Sequence, residues 1–197
     1  MPRRTHDPLI VLLTDFGERD GYAAVLEGVV RSRCPEIACA TLSNAIPRHD
    51  IHAAAFVLWN SYRFFPPRSV FLCVVDPGVG TTRRILAVAA ARGCRFVAPD
   101  NGLLRYVLAA EPRAICVDAS APPLRLPPPS ATFHGRDVLA PIAAALACRT
   151  PVKSLGPVIA RAPLAERPDC VPRPGAGPQS ARVLHIDGFG NIITNIP

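Results

Sequence analysis

Residues 9–42 read LIVLLTDFGERDGYAAVLEGVVRSRCPEIACATL, two short apolar runs on either side of a longer amphipathic one. LIVLLT (9–14) and IACATL (37–42) lack the polar alternation of a half-exposed strand, so both read as strands covered on two faces. DGYAAVLEGVVRSR (20–33) between them is long enough, and suitably spaced, for the helix of a β-α-β crossover.

The same rhythm continues downstream. HDIHAAAFVLWNSYRFF (49–65), NGLLRYVLAA (101–110) and GRDVLAPIAAALAC (135–148) are helix-like, whereas VFLCVV (70–75), ILAVAAA (85–91), RFVAP (95–99) and AICVD (114–118) are strand-like. Apolar strands alternating with helices predict a three-layer α/β domain over residues 1–160, Rossmann-like, with a mostly parallel central sheet. Two proline-heavy stretches interrupt it. APPLRLPPPSAT (121–132) reads as a long loop delivering FHGRD to the sheet edge, and RAPLAERPDCVPRPGAGPQS (161–180) as an interdomain linker. Residues 181–197 then begin a strand, a turn and a second strand, which predicts the start of a β domain that is incomplete at Pro197.

With 197 residues, 49% of them hydrophobic, the chain can bury a substantial core. Cationic residues outnumber acidic ones 22 to 15, but the arginines are scattered and not interleaved with aromatics, so no nucleic-acid partner is expected. No apolar run approaches the ~18 residues of a membrane span, and the run at 9–14 is too short for a signal-peptide core. The seven cysteines contain no C-x-x-C pair and read as buried thiols of a reducing compartment. These features predict a cytoplasmic protein with no membrane partner.

In open parallel sheets, ligands bind beyond the carboxyl ends of the strands, which singles out Asp15, Asp76 and the Asp100-Asn101 pair. Each alone is ordinarily a turn former, and Asp15 or Asp20 could cap the following helix. Asp76 is followed by PGVG, where missing side chains allow close backbone approach. Arg83 or Arg84 could fold back as a guanidinium clamp on its carboxylate. His134 sits between the proline-rich loop and an Ala-rich helix, with Gly135 clearing space beside it and Arg136 and Asp137 next in sequence. Neither a Walker loop nor G-x-G-x-x-G occurs, the DFG at 15–17 lacks its kinase companions, and no histidine spacing suggests a catalytic zinc.

Taken together, LTDFGERDGY (13–22), FFPPRSVFLCVVDPGVGTTRR (64–84), VAPDNGLL (97–104), TFHGRDVLAPIAA (132–144) and HIDGFGN (185–191) make the chain resemble the S-adenosyl-L-methionine hydroxide adenosyltransferases, relatives of fluorinase and chlorinase. The resemblance implies hydrolysis of S-adenosyl-L-methionine to adenosine and methionine by water attacking the ribose 5′ carbon. It implies a catalytic set of Asp76, Arg83 and His134, with Asp76 orienting water and the proton acceptor left open. Asp15 is implied for the ribose, Asp20 and Asp187 for the methionine part, and Phe189 and Asn191 for the adenine. Fluorinase-like members carry Tyr at position 76 and Tyr-Ser at 134–135, so water is the implied nucleophile. No cofactor or metal is implied, since S-adenosyl-L-methionine is the substrate. A homotrimer is implied where the C-terminal domain is complete, with each site shared between one subunit's first domain and its neighbour's second. Thr41, Asn44 and His49 depart from the family's usual Asp, His and aromatic residue. Two other readings fit the same residues: a metal-dependent phosphoesterase on Asp15, Asp76, Asp100 and His134, and a non-catalytic S-adenosyl-L-methionine or adenosine binder.

Overall fold

The strands alternate their side chains between two buried faces, and that alternation sets the layers. In β1 (Leu9–Thr14) and β3 (Val70–Val74), Ile10, Leu12, Leu72 and Val74 face one core, while Val11, Leu13, Phe71 and Cys73 face the other. The first core is closed by α1 (Tyr22–Arg33) and α4 (Ala140–Ala147), the second by α2 (Ile51–Ser61) and α3 (Arg105–Ala110). This computed structural model describes residues 8–120, 130–160 and 181–195, and the expected linker 161–180 lies outside them.

The remaining strands of the central sheet are β2 (Ala38–Ser43), β4 (Ile85–Ala89), β5 (Arg95–Pro99), β6 (Ile115–Asp118) and β7 (Val158–Ile159), in the order β2-β1-β3-β5-β4-β6-β7. β2, β1, β3 and β5 are parallel, as expected, and β4, β6 and β7 extend them antiparallel into a mixed sheet. The few residues of the Ala90–Cys94 turn can join β4 to β5 only as a hairpin, since a parallel connection needs a full crossover. The chain leaves β1 for β2 on one side and returns to β3 on the other. The strand order therefore reverses between β1 and β3, and the crevice at their carboxyl ends is the topological switch point where such sheets bind ligands.

Gly156 sits where the turn before β7 crosses the end of β6, and a Cβ built there would lie 1.9 Å from the Asp118 carbonyl oxygen. Gly156→Ala is expected to cost about 3 kcal/mol. Thermal denaturation should show this as a Tm lower by roughly 6–12 °C.

β8 (Val183–Ile186) and β9 (Ile192–Thr194) form a separate two-stranded antiparallel sheet. Two strands alone bury too little to stand in water; this pair leans on α2. Leu184 packs with Phe56 and Tyr106, and the His185 ring stacks on Phe56 with centroids 4.9 Å apart. Arg105 donates to His52 Nδ1 at 2.7 Å, so His52 Nε2–H donates to the Leu184 carbonyl at 3.2 Å.

The thiol expectation needs one correction. Cys34 and Cys148, at the carboxyl ends of the adjacent helices α1 and α4, form a disulfide with Cα atoms 6.4 Å apart. Sequence spacing could not pair them, because only the packing of α1 on α4 brings together residues 114 apart. Cys39, Cys73 and Cys94 are free thiols, Cys116 is buried in the second core, and Cys170 lies outside the described residues. No helix among the described residues is long and apolar enough to cross a membrane.

Candidate active site

Because Thr14 of β1 pairs with Val74 of β3, the residues just beyond them emerge side by side. Asp15, Asp20, Asp76 and His134 all line one cleft of about 340 Å³ at this point, together with Phe16, Tyr22 and Phe133. Neither early aspartate caps α1. Gly21 occupies the N-cap position and no side chain bonds there. Asp15 instead accepts the backbone N–H of His49 on Oδ2 at 2.9 Å.

Asp76 is held by Arg83 and not by Arg84. Arg83 Nε donates to Asp76 Oδ1 at 2.6 Å, and its Nη2 donates to Oδ2, the two-point geometry that fixes a carboxylate in orientation. The pair is largely dry, with side-chain exposures of 9% for Arg83 and 5% for Asp76. Arg84 turns outward to Asp100, which removes Asp100 from the set predicted from strand ends. Arg84→Ala is therefore expected to leave stability within about 1 kcal/mol of the parent, and steady-state rates should stay within about twofold.

Asn101 serves the site indirectly. Its side-chain amide donates to the Val75 carbonyl at 2.8 Å, holding the strand end that carries Asp76. The loop after Asp76 reverses at Gly80, whose φ of +82° suits glycine and whose Cβ, if present, would lie 2.6 Å from the Ala131 carbonyl oxygen. That close approach lets the Asp76 loop lie against the segment leading to His134.

His134 is presented by an unusual helix start. Residues Gly135–Leu139 form a π-helical turn that runs directly into α4, and such turns often mark functional sites. Buried Asp137 anchors it, accepting Arg136 Nε at 2.6 Å and the Ser130 N–H at 2.6 Å. The Arg136 guanidinium holds the Asp137 carboxyl below the usual carboxylate range, against the opposing effect of burial. His134 Nδ1 then meets Arg83 Nη2 at 3.3 Å. Arginine has only donors, so Nδ1 is the acceptor and the ring hydrogen lies on Nε2. Arg83 thus links the carboxylate and the imidazole.

The predicted set is divided in space. Asp15, Asp20, Asp76, Arg83 and His134 come together, whereas Asp187, Phe189 and Asn191 lie on the β8–β9 turn. There Asp187 Oδ1 accepts the N–H groups of Phe189 and Asn191, each at 2.9 Å, and Oδ2 accepts Asn191 Nδ2 at 2.7 Å. Those bonds, chiefly from Asn191, lower the Asp187 pKa. Phe189 is 94% exposed, and none of the three lines the cleft beside Asp76. Among the described residues, no group of three or more His, Cys, Asp or Glu is placed to hold a metal ion.

Sequence reasoning singled out Asn101 at a strand end but not its bond to the Val75 carbonyl, and it missed the anchoring by Asp137 and the His49 N–H. Asp137 had a signal in its adjacency to His134. The role of His49 depends on a backbone angle that no residue identity announces.

The sequence profile of the SAM hydroxide adenosyltransferase N-terminal domain matches residues 10–156. The chain belongs to that family. It is 42% identical to a Thermus thermophilus protein named (R)-S-adenosyl-L-methionine hydrolase, the match covering 95% of this chain and 74% of that one. A Salinispora tropica protein of the same name is 40% identical, with 94% and 70% covered. Proteins named fluorinase match more distantly, at 26% and 27% identity. In structure the chain is similar to an uncharacterized conserved protein from Thermotoga maritima, with a TM-score of 0.84, 32% identity and coverage of 96% of this chain and 72% of that one. Within this family, the cleft at the switch point is the candidate active site.

Proposed function

We propose that this protein hydrolyses S-adenosyl-L-methionine to adenosine and L-methionine, acting on the (R) configuration at sulfur that the names of its relatives carry. The observation that carries the reading is the Asp76–Arg83–His134 array in a cleft with two further carboxylates. Water oxygen bonds to the ribose 5′ carbon as the carbon–sulfur bond breaks. That bond's electron pair stays on sulfur, methionine leaves as a neutral thioether, and one proton is lost to solvent. The leaving group requires no general acid, so alignment of a weak nucleophile is what the protein must supply.

Arg83 orients the Asp76 carboxylate, which accepts a hydrogen bond from the attacking water. His134 presents Nε2–H as a donor to that water's oxygen, fixing it from a second side. Asp15 takes the ribose diol and Asp20 the substrate ammonium, matches of acceptor to donor and of charge to charge. Asp187, Phe189 and Asn191 reach a cleft from a neighbouring copy in a homotrimer, a role suited to an exposed turn flanked by exposed Ile186 and Ile192. The phosphoesterase alternative is weakened by the Asp100–Arg84 pair, which takes one of its four residues out of the cleft.

The test is to incubate the protein with each sulfonium epimer, with and without a chelator, and to separate the products by chromatography. Adenosine and methionine formed from the (R) epimer with chelator present support the reading. Turnover only with added metal, or binding without product, would refute it.

A further inference from the structure

Three non-glycine residues among those described have positive φ, and only His49, at +65°, lines the cleft. Arg149 follows α4 and Arg68 precedes β3, both ordinary places for a chain reversal. An L residue rarely takes this conformation, and where it does so beside a ligand cleft the surrounding structure must hold it there.

The segments on both sides of His49 are anchored. Upstream, the Gly17 N–H donates to the Asn44 carbonyl at 2.8 Å, Thr14 Oγ1 to Asn44 Oδ1 at 3.1 Å and Asn44 Nδ2 to Glu18 Oε1 at 3.1 Å. Downstream, Asp50 caps α2 by accepting the Ala53 N–H at 2.8 Å. Residue 49 joins these two fixed segments, and its left-handed turn carries the backbone N–H onto Asp15 Oδ2.

We propose that His49 is a positioning residue for the substrate ribose, acting through its backbone and not its imidazole. Its N–H occupies one acceptor position of Asp15 Oδ2 and fixes the carboxylate plane. The remaining acceptor positions on Oδ1 and Oδ2 then meet the two hydroxyls of a vicinal diol. The departure from an aromatic residue at this position leaves that backbone function in place. This inference rests on the assignment of Asp15 to the ribose in the proposed function.

The test compares the full chain with His49→Gly, which keeps the N–H and favours positive φ, and with His49→Val, whose branched side chain opposes it. Calorimetry would measure binding of adenosine and of 2′,3′-dideoxyadenosine, which lacks the diol. The unmodified protein is expected to prefer adenosine by about tenfold or more, the scale of a charge-assisted hydrogen bond. His49→Gly should keep that preference within about twofold. His49→Val should bring it towards unity while dideoxyadenosine binds as before; a purely structural defect would weaken both nucleosides together. Should His49→Val not fold, His49→Ala against His49→Gly gives the same comparison, with a loss of about threefold.

Equal loss in His49→Gly and His49→Val would assign the effect to the imidazole and overturn the proposal. So would an unchanged preference in both, or no preference in the unmodified protein. Adenosine release from S-adenosyl-L-methionine, measured in parallel, separates the two ideas. Intact diol preference without release refutes the hydrolase reading alone, and release with an unchanged preference in His49→Val refutes this proposal alone.

Discussion

Asp76→Ala is expected to lower kcat for adenosine formation by about 10²–10³-fold, the scale seen when one preorganised group that stabilises a transition state is removed. The carboxylate accepts from Arg83 Nε and Nη2, and its side chain is only 5% exposed, so its removal takes away an acceptor already fixed in orientation. Loss of one partner also strands the Arg83 guanidinium, which is 9% exposed. Breaking such a buried pair costs about 3–5 kcal/mol, so urea denaturation should show a clear stability loss beside the kinetic one. Asp76→Asn keeps the shape and should reproduce the kinetic defect with KM little changed. Arg83→Ala should resemble it, and the double variant should be scarcely worse than either single one, because the two residues act as a unit.

His134→Ala is expected to lower kcat by about 10²-fold, and His134→Gln to restore it to within about tenfold of the parent. The reason lies in the ring hydrogen. Arg83 donates to Nδ1, so Nε2 is a donor, and a glutamine amide can supply a donor at much the same reach. A histidine that removed the proton from water would behave otherwise, since an amide is no base and Gln would then be as inactive as Ala. Steady-state kinetics on the two variants, with circular dichroism to confirm folding, decides between donor and base.

These residues differ in how far the sequence alone could place them. VFLCVV and LIVLLT announced buried strands, and in a parallel sheet their terminal aspartates had to emerge at the ligand end. The crevice and Asp15 and Asp76 within it follow from that. The choice between Arg83 and Arg84 did not, because both are within reach along the chain and only the folded loop shows Arg83 on Asp76 and Arg84 on Asp100. The apolar strand 85–89 looks like its parallel neighbours, and its antiparallel direction was readable only from the short turn that follows. Asp20 has the composition of a helix cap, yet the helix starts at Gly21 and leaves its carboxylate to the cleft. Asp187, Phe189 and Asn191 were recognisable as a motif, whereas their separation from the cleft is a property of the fold.

The central claim is that water attacks the ribose 5′ carbon, and the most direct measurement is turnover of (R)-S-adenosyl-L-methionine in ¹⁸O-labelled water with mass spectrometry of the products. One labelled oxygen in the 5′ hydroxyl of adenosine and none in methionine is the expected result. Unlabelled adenosine, or 5′-methylthioadenosine or free adenine in its place, would contradict it.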